Sequence, residues 1–242
     1  MILVIGDACE DYYHYGTIDR VNPEATAPLL NFQYDHMSNG MALNVWRNIS
    51  ALGTEAYFSA NAQPWSQKHR YIDAKHNTLL LRVDRDVRAR PYIVKPRGYY
   101  ARYKALVVSD YNKGFITDEV LLKLRKRFDG PIFVDTKKTD LAQFTGIIFK
   151  INELENSRLT SIPEDLVVTC GAGGCWYKGV NYPAPKIEVV DVCGAGDTFL
   201  AAMAVYFVKT QDMAEALSKA NQCAAIACAH QGVYTLKPED IP

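Results

Sequence analysis

The stretch Asp191-Val192-Cys193-Gly194-Ala195-Gly196-Asp197-Thr198 sets two glycines around a small alanine and follows them at once with a carboxylate. Glycines let the backbone come close to a ligand, and the free N–H groups and dipole at the start of a helix favour an anion there. Gly194, Ala195 and Gly196 are therefore read as an anion hole. A carboxylate beside a bound phosphate is repelled unless it works as a base, so Asp197 suits proton removal from a hydroxyl during phosphoryl transfer. The plainer alternative is that Asp197 caps the helix and the glycines only make the turn. A short glycine motif alone does not separate the two.

Other elements must bring partners to this turn. Ile187 to Val190 is extended and leads into it, and the apolar run Phe199 to Val208 continues from it as a helix. Ile2 to Ile5 is continuously apolar and ends in Gly6-Asp7, the pattern of a buried parallel strand whose carboxyl end faces a ligand. Asp7, Glu10 and Asp11 follow in a predicted loop, where a carboxylate can accept hydrogen bonds from sugar hydroxyls. Tyr12 to His36 contains no helical pattern and reads as a small antiparallel flap; Thr78 to Asp84 and Pro91 to Lys95 complete it, so the flap covers about 12–36 and 78–95. Ser38-Asn39-Gly40 reads as a turn before an amphipathic helix (Ala42, Val45, Trp46, Ile49, Leu52) that stops at Gly53. Asn44 lies in its first turns, within reach of a ligand held there. Asn61 to Asn77 shows no period that assigns it.

From Ala105 onward the pattern is regular. Ala105 to Ser109, Pro131 to Val134, Ile147 to Ile151 and Leu166 to Val168 are predicted strands, each ending in polar or glycine residues. Thr117 opens a helix running to about Phe128, and Asp212-Met213-Ala214-Glu215 has the form of a capping box for a helix through Asn221 to about His230. The expected fold is α/β: a doubly wound, mostly parallel sheet flanked by helices, with the small β flap inserted, in a single domain over residues 1–242.

Lysine plus arginine equal aspartate plus glutamate at 27 each, which argues against nucleic acid or an anionic membrane as partner. The six cysteines include no C-x-x-C pair and are read as reduced thiols of a cytoplasmic protein. No targeting segment or stretch of membrane-spanning length is evident.

Several motifs agree in order and spacing with one family. Gly194-Ala195-Gly196-Asp197 after Asp191, Asn152-x-x-Glu155, Thr169-x-Gly171-x-x-Gly174 and Gly6-Asp7 with Asp11 together resemble the ribokinase-like (PfkB) carbohydrate kinases. Within it, the run Gly6 to Gly16, Val21 to Pro28, Ser109 to Gly114 and Asp135 to Asp140 are most similar to the kinases of heptose 7-phosphate, which act on the anomeric hydroxyl. The resemblance implies an ATP- and Mg-dependent sugar kinase with Asp197 as catalytic base and the Gly194 to Asp197 backbone as anion hole. It implies Asp11, Asn39, Gly40 and Asn44 around the sugar or sugar phosphate. Asn152 and Glu155 would serve magnesium, and Asn152, Lys137, Thr169, Gly171, Gly174 and Asn221 the nucleotide. A homodimer through the flap strands is a further implication. Two departures stand out: Asn39-Gly40 where the family commonly has two glycines, and missing length, expected to fall in Asn61 to Asn77 and Ser157 to Asp165. These keep two alternatives open: a ribokinase-like kinase of another sugar or sugar phosphate, or a non-catalytic nucleotide- or sugar-binding relative.

Overall fold

A computed structural model describes residues 1–241. The chain opens with β1 (Ile2–Gly6) and passes through one residue into β2 (Ala8–Val21), then β3 (Pro28–Met41), which runs directly into α1 (Ala42–Ala51). Next come β4 (Ala56–Ala60), β5 (Ser66–Asp73), β6 (Thr78–Arg85) and the short α2 (Arg97–Tyr100). The second half is β7 (Ala105–Asp110), α3 (Asp118–Arg127), β8 (Ile132–Thr136), β9 (Ile148–Asn152), the one-turn α4 (Glu153–Asn156) and β10 (Asp165–Thr169). A hairpin of β11 (Cys175–Tyr177) and β12 (Val180–Tyr182) precedes the long helices α5 (Ala195–Thr210) and α6 (Met213–Cys228).

Eight strands form the main sheet in the order β12-β11-β10-β9-β8-β7-β1-β4. β4, β1, β7, β8, β9 and β10 are parallel, and the closing hairpin is antiparallel. Alternation along the strands explains the two layers. Ile2, Val4, Ala105 and Val107 face the core shared with α1, α5 and α6, while Leu3, Ile5, Leu106 and Val108 face α3 and Tyr92, Tyr100 and Phe115. α5 is buried through most of its length because Phe199 to Tyr206 pack against both the sheet and α6. The strand order reverses at β1, with β4 on one side and β7 on the other, so the carboxyl ends of β1 and β7 form the crevice where such sheets bind ligands. Among the described residues no helix is long and apolar enough to cross a membrane.

The flap differs from its sequence expectation in extent and pairing. It is a four-stranded sheet ordered β3-β2-β5-β6, so it covers residues 8–41 and 66–85. The Asp7 to Asp11 loop is strand after its first residue, and Ser38-Asn39-Gly40 is the end of β3 rather than a turn. Pairing of β2 with β5 is parallel, the crossover being supplied by β3, α1 and β4. Asn61 to Asn77 contains β5, whose polar side chains on both faces hide the period-two signal. Pro91 to Lys95 is not strand: Tyr92 is buried against Phe115, and the segment serves the main core instead. Ser157 to Asp165, where length is expected to be missing, holds no helix, and only the one-turn α4 precedes it. At α6 the capping box is half formed. Asp212 accepts from the Ala214 and Glu215 amides, but its own N–H goes to the Thr210 hydroxyl.

Candidate active site

Asp197 sits in the first turn of α5, 5 % exposed, directly after the turn whose Gly194 adopts φ 77°. That left-handed conformation disfavours any residue with a Cβ, and a Cβ there would lie 2.8 Å from the Asn44 amide nitrogen. Asn44, on the first turns of α1, donates to the Gly194 carbonyl at 3.4 Å and to Asp197 Oδ2 at 3.3 Å. The hydroxyl of Tyr111, one residue beyond β7, donates to Asp197 Oδ1 at 3.3 Å. Three distant segments thus meet on one carboxylate. Burial, and next the Asp135 charge, push Asp197 up to about 7, while Lys150, Asn44 and Lys68 pull the other way. A carboxylate poised near neutrality is matched to accepting a proton at physiological pH.

Beneath the turn, Asp135 of β8 and Lys150 of β9 face each other in register and pair at 2.7 Å, both buried. At the end of β1, Asp7 Oδ2 accepts the Tyr111 amide at 2.8 Å, and burial raises Asp7 to about 6. Asp7 Oδ1 and the hydroxyls of Ser38 and Ser109 are buried without a hydrogen-bond partner among the described residues. Asp7 and Ser109 stand at the carboxyl ends of β1 and β7 and Ser38 on β3 opposite Asp11, and such orphaned groups fit a polar, hydroxyl-rich ligand.

On the flap side, Asp11 is 1 % exposed and pairs through Oδ1 with Arg70 of β5 at 2.5 Å, while its Oδ2 accepts from the Cys9 thiol at 3.3 Å. Gly40 makes room for this: a Cβ there would stand 2.1 Å from Asp11 Oδ2. Asn39 is opposite Glu10 in the register, so strand alternation puts it on the other face of the flap from Asp11 and away from Asp197. Its placement in the sugar pocket is therefore corrected. Arg70 and Lys68 were missed because they lie in the segment without a readable period. Lys150 left a clearer trace, a lone cation inside the apolar strand Ile147 to Ile151.

On the opposite side of the Gly194 turn lies a cavity of about 470 Å³, lined by Thr169, Gly171, Gly174, Asn221, the Ile187 and Val189 side chains, and Ala195 and Gly196 of the turn itself. Its walls are mostly apolar. Asn221 lines it, yet donates from its amide nitrogen to the Tyr182 carbonyl at 2.8 Å and to Cys175 Sγ at 3.6 Å, so it also fastens the β11–β12 hairpin to α6. Asn152 and Glu155 form a reciprocal capping box on α4 (2.8 and 2.9 Å), and Glu155 pairs with Lys137. Among the described residues no three His, Cys, Asp or Glu side chains cluster to hold a metal. Both Glu155 oxygens and the Asn152 Oδ1 are engaged within the chain, so a cation brought to them would be held through its water shell.

The pfkB family of carbohydrate kinases matches residues 111–240, more than half of the chain. The bifunctional protein HldE of Caulobacter vibrioides is 28 % identical over an alignment of 293 residues that takes in 96 % of this chain and 60 % of that protein. The chain thus spans about 60 % of the length of the curated relatives it matches. Among solved structures, Arabidopsis thaliana ribokinase complexed with ribose and ATP superposes with a TM-score of 0.73 at 18 % identity, covering 100 % of this chain and 95 % of that one. Thermotoga maritima ribokinase gives 0.70 at 16 %, with the same coverage. The ribokinase-like fold is shared throughout.

Proposed function

Because the chain belongs to the pfkB family of carbohydrate kinases, we propose that it transfers the γ-phosphoryl group of ATP to a sugar phosphate, heptose 7-phosphate at its anomeric hydroxyl, and that magnesium accompanies the nucleotide. The observation that carries this reading is the buried Asp197, pushed up to about 7, in the first turn of α5 directly after the left-handed Gly194. Asp197 takes the acceptor hydroxyl proton as that oxygen bonds to the γ-phosphorus and the bond to the β–γ bridging oxygen breaks. The turn amides and the start of α5 hold the charge on the transferring group. Asn44 and Tyr111 fix the carboxylate, so the base meets the hydroxyl without reorganising.

Asp11, held by Arg70, accepts hydrogen bonds from sugar hydroxyls beneath the flap. The 470 Å³ cavity takes the nucleoside, with Thr169, Gly171 and Gly174 along its border. Lys137, Asn152 and Glu155 lie toward the phosphates, and magnesium there supplies charge neutralisation. The similarity to HldE and the N-terminal motifs support the heptose. The outward flap face bears exposed Met37, Leu81 and Val83, which supports a homodimer formed through the flap; light scattering of the purified chain checks it.

The test is magnesium-dependent ADP release across paired sugars and sugar phosphates, with Asp197→Asn beside the wild type. Turnover of heptose 7-phosphate that vanishes in the variant supports the proposal. Turnover with another sugar alone names the sibling kinase. Binding of ATP with no turnover in either protein identifies a non-catalytic relative.

A further inference from the structure

The face of the flap that carries Asp11 has an unbalanced charge. Register sets Asp11, Lys68 and Asp84 in one row across β2, β5 and β6, and Tyr13, Arg70 and Arg82 in the next. These rows hold three cations and two carboxylates. Asp11 is taken by Arg70 at 2.5 Å, and both oxygens of Asp84 are taken by Arg82 at 2.6 Å. Lys68 is left over: among the described residues it makes no ion pair, and its ammonium rests 5.4 Å from the centre of the Tyr111 ring. The hydroxyl of that ring is on Asp197.

Lys137, from the β8 side, contacts the same ring at 5.2 Å, but it already has Glu155. The two lysines therefore differ. Lys137 belongs to the edge bearing Asn152 and Glu155, toward the nucleotide. Lys68 belongs to the flap, next to Asp11, and no flap residue lines the nucleotide cavity. Its charge is felt by Asp197 and Asp84, but a half-buried ammonium with no direct ion pair is further stabilised by an anion brought with the ligand, and a neutral sugar brings none.

Resting on the kinase reading above, we infer that Lys68 is the residue by which this chain selects an anionic acceptor: its ammonium binds the phosphate that the acceptor sugar already carries. Asp11 reads hydroxyls and Lys68 reads charge. The phosphate enters under the flap while the acceptor hydroxyl lies at Asp197, so one face of the flap spans both ends of the substrate.

The experiment compares kcat/KM for matched pairs, heptose 7-phosphate with heptose, fructose 6-phosphate with fructose and ribose 5-phosphate with ribose, in the wild type, Lys68→Met, Lys68→Gln and Lys68→Arg. The wild type is expected to prefer the phosphorylated member of its best pair. Lys68→Met and Lys68→Gln should each cut that preference by about 10- to 100-fold, the worth of one charge-assisted contact, through KM for the acceptor and with KM for ATP within about 2-fold. Lys68→Arg should keep most of it. Two neutral variants guard against one failing to fold. The inference is overturned if the preference survives both, or if KM for ATP rises instead, which would assign Lys68 to the nucleotide. It also falls if the wild type prefers the uncharged sugar while Asp197→Asn abolishes turnover, a result that leaves the kinase reading intact. Absence of turnover with every acceptor, unchanged by Asp197→Asn, removes both.

Discussion

The Asn44 amide nitrogen reaches the Gly194 carbonyl and Asp197 Oδ2 at once, so a single side chain of α1 ties the backbone of the anion turn to its carboxylate. Asn44→Ala removes a donor that holds the Asp197 titration down. The base must be ionised to act, so the acid limb of kcat/KM should move up by about one pH unit and activity at pH 7 should fall about 5-fold. A pH–rate profile reads both, and an unmoved limb would separate Asn44 from Asp197.

Asp197→Asn should lower turnover by about 10²- to 10⁴-fold with ATP binding retained, because the proposed general base is lost while the turn stays. It should also make the protein more stable. In the fold this carboxyl titrates at about 7, against 3.8 for the free group. As pH rises between those values the unfolded chain ionises first, and stability drains away until the folded group ionises too. The variant should therefore gain up to a few kcal/mol above pH 7 and nothing below pH 3, measured by urea unfolding at both ends.

Arg70→Met leaves the Asp11 carboxylate buried without its cation. The expected loss is about 3–5 kcal/mol in denaturant unfolding, with KM for the acceptor raised. Asp11→Asn in the same chain should return part of the stability but not the KM. Recovery of both would mean that Asp11 serves packing alone.

Glu155→Ala removes one half of the α4 capping box and releases Lys137. Stability should fall by about 1 kcal/mol, the usual worth of a cap. KM for magnesium-ATP should rise several-fold with KM for the acceptor unchanged. Equal effects on both substrates would contradict a nucleotide-side role.

The main sheet was readable because β1, β7, β8 and β9 are apolar runs buried on both faces, which leave little else for such sequences to do. The turn itself was readable because its glycines sit directly before the apolar run of α5, although that spacing alone left Asp197 between base and cap. Asn44 was found as a helix-start residue, and the structure joins it to Asp197. The flap was harder. β5 (Ser66–Asp73) is polar on both sides, one face serving Asp11 and the other stacking His69 between Tyr12 and His14. Neither environment shows in local sequence, since each is made by β2. Asn39 was misassigned for the related reason that a turn and a strand end look alike until pairing decides which way a side chain points. The β11–β12 hairpin is three residues per strand, too short for alternation to declare itself.

β3 becomes α1 without a linker, and Met41 at the junction takes φ 57°. At the other end only Asp7 separates β1 from β2. On the β2–β3 side the flap thus joins the sheet without slack, so a tilt of β3 bears on the first helical turn and on Asn44 with it, whereas residues 61–65 and 86–96 link its β5–β6 side more loosely. On the kinase reading proposed above, an acceptor seated under the flap bears on the same backbone that carries Asn44, so acceptor binding and the setting of Asp197 are expected to be coupled.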